Sequence, residues 1–203
     1  MSISLSKSLK TEIYRKAIHL SSLWMPIFIL RAGQRAGMVL FAGLLVIDLL
    51  FEYAAYRRIP LVGSFFRKLF LKTLRGKEIC RTAFVPSGSV YVLAAALFVS
   101  VCYTPRAAAA AMSVMLIADS GAALVGKLFG TFRFYNEKSA EGTLTFFVCA
   151  VCVMNLFFPD GFLVLIYMTA ILAAAAEFFE KEIGIDDNLS IPLICGFVLN
   201  LIY

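Results

Sequence analysis

Charged residues are scarce in this sequence: only 16% of its 203 positions are Asp, Glu, Lys or Arg, and histidine occurs once. Hydrophobic residues take up 61%, and the mean hydropathy is +0.87. One soluble core of this size cannot hide so much apolar surface, so the excess must face lipid. Other absences narrow the reading. Cys149-x-x-Cys152 has no second pair, and Cys80, Cys102 and Cys195 stand singly in or beside apolar runs. That argues against a metal or redox centre and for small buried hydrophobes. No low-complexity linker and no internal repeat divides the chain, which reads as one domain over residues 1–203. The first apolar run ends in Phe28-Ile29-Leu30, where a cleaved signal would need small residues, so it reads as a retained span. A Walker phosphate loop is also missing.

What is present is a succession of apolar runs long enough to cross a bilayer as helices. Their lengths predict an all-α, polytopic transmembrane helix bundle of about seven spans. The spans run near Ile13–Leu30, Ala36–Tyr53, Phe84–Tyr103, Ala107–Val125, Thr143–Phe158, Phe162–Phe179 and Leu189–Tyr203. Placing the N-terminus in the cytoplasm puts all the Lys and Arg except Arg31, Arg35 and Arg106 on the inner side. The net charge of +6 is then a topology signal, not a nucleic-acid surface. Between the second and third spans, Leu61, Val62, Phe65, Phe66, Leu69 and Phe70 share one helical face, with Arg67, Lys68, Lys72 and Arg75 on the other. That pattern predicts an interfacial amphipathic helix near residues 61–75.

Ionisable groups within apolar spans cost about 2.5–3.5 kcal/mol each near a helix centre, so each needs a reason. Arg15-Lys16-x-x-His19 places three side chains on one face at the start of the first span. A positive-inside anchor explains the two cations; His19 lies a turn deeper and is left over. Asp48 and Glu52, four apart, repel unless they hold a cation, pair with a base such as Arg57, or share a proton. Asp119 precedes Gly126-Lys127-x-x-Gly130 and Lys138-Ser139-x-Glu141-Gly142-Thr143. Gly126 and Gly130 suit a close helix–helix contact. The whole stretch, though, holds what a nucleoside triphosphate requires: glycines for backbone approach, lysines for charge, and a carboxylate for a divalent ion. Finally, Glu177 lies a turn inside its span, ahead of Glu180-Lys181-Glu182 and Asp186-Asp187-Asn188. Those oxygens suit magnesium, and equally a solvated acidic loop. All four clusters fall on the cytoplasmic side of the expected topology, which favours one polar pocket between helices.

Taken in order, these motifs resemble the membrane family of dolichol kinase, phytol kinase and CTP-dependent diacylglycerol kinase. The resemblance rests on Arg15-Lys16-x-x-His19, on Asp119-x-x-Ala-x-x-x-Gly126-x-x-x-Gly130, on Lys138-Ser-x-Glu141-Gly142-Thr143, and on Asp186-Asp187-Asn188-Leu189-x-Ile191-Pro192. It implies transfer of the γ-phosphate of CTP to the hydroxyl of a membrane lipid alcohol (polyprenol or dolichol, phytol or diacylglycerol), with Mg²⁺ or another divalent cation. It further implies that Arg15, Lys16, Asp119 and Gly126 are needed for activity and that the stretch through Thr143 forms the nucleotide site.

On that reading Asp119, helped by Glu141, holds the metal. Gly126, Gly130, Ser139, Gly142 and Thr143 border the phosphates, and Lys127, Lys138, Arg15 and Lys16 stabilise charge on the transferring group. His19 and Asp48 are both candidate bases. Asp48, Glu52, Glu177, Asp186, Asp187 and Asn188 are secondary candidates for the site. The expected partners are CTP, the lipid alcohol and membrane lipids, with no nucleic acid. Two other functions compete. A phosphatidate cytidylyltransferase would carry a His-Gly-Gly and an Asp-Arg-x-Asp, both missing here. A small ion-coupled transporter would use Asp48, Asp119 and Glu177 as a cation path, with acids near the bilayer midplane.

Overall fold

The computed structural model describes residues 7–57, 59 and 84–202. The interfacial helix expected near residues 61–75 lies outside them. Within them the chain is helical: α1 (Lys7–Ser21), α2 (Trp24–Tyr56), α3 (Gly88–Cys102), α4 (Pro105–Phe129), α5 (Ala140–Phe157), α6 (Leu163–Phe178), a short α7 (Glu180–Ile183) and α8 (Asp187–Ile202). Among the described residues, sheet pairing is limited to one bridge, between Arg133 and Ser139. Three stretches are long and apolar enough to cross a membrane: Leu9–Tyr56, Pro105–Phe129 and Ala140–Phe157. Gly88–Cys102, Leu163–Phe178 and Asp187–Leu201 are shorter apolar helices. By length and composition, the fold is that of an α-helical membrane protein.

The longest of these stretches is not straight. Gly33 adopts φ 81, ψ 177 inside α2, a conformation open almost only to glycine. Beyond it the chain doubles back. Phe28 and Phe41, which a straight helix would hold about 20 Å apart, meet edge to face with ring centroids at 6.2 Å. Trp24 and Phe41 stand at 5.9 Å. Thus α2 is a helical hairpin whose two limbs correspond to the ends of the first expected span and the whole of the second.

At the centre runs α4, packed against α1, α2, α3, α5 and α8. Every residue from Ala107 to Leu116 is buried, because the alanine run keeps the helix slim and lets neighbours close on all sides. The outer helices turn large apolar side chains outward, such as Val39, Leu156, Val164 and Leu201, as a lipid-facing surface requires. Cys149 packs its sulfur on Gly121, and Cys102, Cys149, Cys152 and Cys195 are free thiols. At one end of the bundle Arg106 stacks over Phe158 at 4.8 Å and donates to the Phe157 carbonyl at 2.6 Å. The ionisable clusters gather at the other end.

Candidate functional site

Three helices begin at that polar end, each with a side chain capping its first turn. Ser87 accepts from the Ser89 N–H at 3.3 Å, Ser139 from Gly142 N–H at 3.1 Å, and Asp186 from Asn188 N–H at 3.1 Å. Such short polar residues satisfy the donors a helix start leaves open. The start of α3 lies beside the end of α2, where Glu52 meets Ser87, and the start of α5 beside the end of α4, where Gly142 meets Gly126.

A buried ion pair joins the first helix to the central one. On α1 the spacing of Glu12, Lys16 and His19 makes one face, and that face lies on α4. Lys16 Nζ donates to Asp119 Oδ2 at 2.5 Å, with both residues buried. His19 is held by a hydrogen bond to the Met115 backbone, and its Nε2 stands 3.4 Å from the same Asp119 oxygen. Glu12 bridges Arg15 (2.5 Å) and Lys127 (2.7 Å), tying α1 to the end of α4. Glu12 was not singled out from the sequence. Its signal was there, a carboxylate four residues before Lys16 on the His19 face.

Residues 130–139 form a tight turn. Phe134 N–H donates to the Lys138 carbonyl at 2.8 Å, and Ala140 N–H to Phe132 at 3.0 Å. Glu141 Oε1 takes the N–H groups of Thr131 (2.9 Å) and Phe132 (3.4 Å) and the Thr131 hydroxyl. The two carboxylates expected to share a metal, Asp119 and Glu141, thus engage different groups. Asn136 fastens the turn to α6 by donating to the Phe178 carbonyl at 2.7 Å. Tyr135 hydrogen-bonds to Glu182, and that bond pushes its phenol above the ordinary value. Lys138 reaches the Glu177 carboxylate at 2.7 Å, the Glu177 carbonyl, and Glu180 at 3.6 Å.

The glycines of this stretch are spent on packing. A Cβ on Gly126 would meet Ser139 Oγ at 2.7 Å, one on Gly130 Ser139 Cβ at 2.7 Å, and one on Gly142 the Ala122 carbonyl at 2.9 Å. They bring the end of α4 onto the start of α5, the close-contact role that their spacing also allowed. Asp48 and Glu52 both reach the start of α3. Glu52 accepts from Ser87 N–H at 3.1 Å and from the Ser87 hydroxyl, and Asp48 accepts from Ser89 at 2.8 Å. Two acids at the start of α3 complement the positive end of its dipole. Their pairing with Ser87 and Ser89 was not foreseen. This patch adjoins the rest where Gly88 backs onto Asn188.

Asp187 lies near the charges of Asp119, Glu180, Asp186 and Lys16, and Glu177 near those of Lys138, Asp119 and Glu180. Residues far apart in the chain therefore form one electrostatic neighbourhood. Beside it, between α5 and α6, opens an apolar cleft of about 440 Å³, lined by Phe134, Thr143, Phe147, Ile171, Ala175 and Phe178 among others. Among the described residues, Thr143 Oγ1 is buried there without a hydrogen-bond partner.

Known proteins give this site a family but no activity. The chain is 31% identical over 194 residues to the uncharacterized protein RP860 of Rickettsia prowazekii, spanning 91% of this chain and 94% of that protein. It belongs to the RP860 family. The uncharacterized protein MJ1137 of Methanocaldococcus jannaschii is 36% identical over 89 residues, which cover 43% of this chain and 44% of its own length. No family model matches the chain, and no solved structure matches it.

Proposed function

We propose that this protein transfers the γ-phosphate of CTP to the hydroxyl of a membrane lipid alcohol. The observation that carries the reading is the buried assembly of Lys16, His19 and Asp119, with Lys138 and Glu177 alongside. A plain bundle of spans has no use for so many ionisable groups in one place. The motifs that gather there resemble those of the dolichol, phytol and diacylglycerol kinases, and CTP comes to this chain from that resemblance alone. We take the bundle to cross the membrane about seven times, counting both limbs of α2, with its polar end toward the cytoplasm.

Phosphoryl transfer asks mainly for positioning and for charge opposite the moving group. Lys127, Lys138 and Arg15 supply cations, and the starts of α3, α5 and α8 add the positive ends of their dipoles. Asp119 orients Lys16 and His19, and on this reading His19, or alternatively Asp48, accepts the alcohol's proton. Gly126, Gly130 and Gly142 serve by holding the turn against α4. The lipid body fits the cleft between α5 and α6, with its hydroxyl near Thr143 and Lys138. A divalent cation, when bound, neutralises phosphate charge.

The test is incubation of purified protein with Mg²⁺, a panel of dolichol, undecaprenol, phytol and diacylglycerol, and CTP labelled at either the α or the γ position. Label from the γ position should appear in a lipid monophosphate, and ATP should replace CTP poorly. Label from the α position in the lipid would mean a cytidylyltransferase instead. Solute uptake into vesicles with no lipid labelling would mean a carrier, a reading weakened by the gathering of the acids at one end.

A further inference from the structure

The end of α6, the short α7 and the start of α8 bring three carboxylates together: one oxygen each from Glu180, Asp186 and Asp187, all within 4.8 Å of one another. Acids this close repel unless something positive sits among them. Lys138 approaches from one side, 3.6 Å from Glu180. Acidic groups alone are common at protein surfaces, and two further features set this one apart. Asp187 is only 6% exposed and Asn188 only 5%. Among the described residues, Asp187 Oδ1 and Asn188 Oδ1 have no hydrogen-bond partner. Asn188 Nδ2 donates to Asp186 Oδ1 at 2.6 Å, which pins the amide against the carboxylates. Its oxygen is then an acceptor set among acceptors. A buried acceptor left without a donor costs about 1–3 kcal/mol, and here two lie side by side. Pro192, inside α8, has no N–H to offer the Asn188 carbonyl, which adds an oxygen without its usual helical donor.

From this geometry we infer that Glu180, Asp186, Asp187 and the Asn188 side-chain oxygen form a binding site for a hard divalent cation of the Mg²⁺ class. The donors are all oxygen, which suits Mg²⁺, Mn²⁺ or Ca²⁺ and not Zn²⁺. Oxygens on opposite sides of such ions stand about 4–5 Å apart, the spacing seen here. The site differs from the Asp119–Glu141 pair expected from the sequence, and it stands whether or not the protein is a lipid kinase.

Direct binding tests it. The full chain, purified in detergent and stripped with a chelator, is titrated with Mn²⁺ while the spin-resonance signal of the free ion is followed. Saturable uptake of a single Mn²⁺ per chain, displaced by Mg²⁺, is expected. Asp187→Asn should weaken it roughly 100-fold or more, since even indirect supports of a metal are worth about 10–100-fold. Asp160→Asn, an exposed acid in the loop between α5 and α6, should change nothing. Asn188→Asp exchanges a neutral ligand for a charged one and should tighten binding severalfold, a gain that misfolding cannot mimic. No saturable Mn²⁺ in the unaltered chain would overturn the site. So would binding that survives Glu180→Gln, Asp186→Asn and Asp187→Asn combined, or an Asn188→Asp chain that binds no tighter.

Discussion

Lys16 and Asp119 stabilise each other only as a pair. Removing one partner of a buried ion pair leaves a bare charge and costs about 3–5 kcal/mol, whereas replacing both with apolar groups is often neutral. Asp119→Ala should therefore lower stability by about that amount, read as earlier thermal unfolding in detergent, and should abolish the proposed phosphate transfer. Lys16→Met combined with Asp119→Leu should regain most of the stability and none of the activity. A double variant as unstable as the single one would mean that the two side chains do not depend on each other. At this scale the sequence was most legible where membrane physics made a residue expensive: Lys16, His19, Asp119 and Glu177 all stood out, and all fall in one neighbourhood. Glu141 was less legible. Its hydrogen bonds to Thr131 and Phe132 depend on how residues 130–139 fold back, which residue types alone do not encode.

Backbone geometry governs the elements. Gly33 holds a conformation that costs other residues about 1–3 kcal/mol, so Gly33→Ala should destabilise the α2 hairpin by that much. Gly43 sits in the same helix with open space around it, and Gly43→Ala should instead stabilise slightly, by about 0.5–1 kcal/mol. Equal effects at the two positions would rule out a reversal at Gly33. Where α4 meets α5, Gly142→Ala would press a methyl group to 2.9 Å from the Ala122 carbonyl. Overpacking of that kind typically costs about 1–3 kcal/mol, and on the proposed function it should also raise the KM for CTP by shifting Ser139 and Lys138. The positions of the helices followed from apolar run length, and the gap between Leu30 and Ala36 already marked the bend. Their ends did not follow so well. The third span was expected from Phe84, yet α3 starts at Gly88, because Pro86 and the capping Ser87 come first.

The proposed passage of the whole molecule through the bilayer can be read from its loops. In a chain cleared of native cysteines, Glu137→Cys and Lys181→Cys should react with an impermeant maleimide from one side of sealed vesicles, and Asp160→Cys from the other. Reaction of all three from one side would overturn the crossing pattern proposed for α5 and α6. The class of fold was legible from composition alone, since so much apolar surface has nowhere else to go. The central position of α4 was not, because an alanine-rich run reads the same whether it faces lipid or five other helices.

Packing of α4 also bears on how the protein is made. Lys16 leaves the ribosome 103 residues ahead of Asp119, so the ammonium is already in the membrane when the carboxylate emerges. A nascent helix bearing an unmatched Asp pays about 2.5–3.5 kcal/mol to enter lipid. Here α1 waits as its chaperone within the same chain. Deleting the first twenty residues would hinder insertion of α4 itself, long before any substrate arrived.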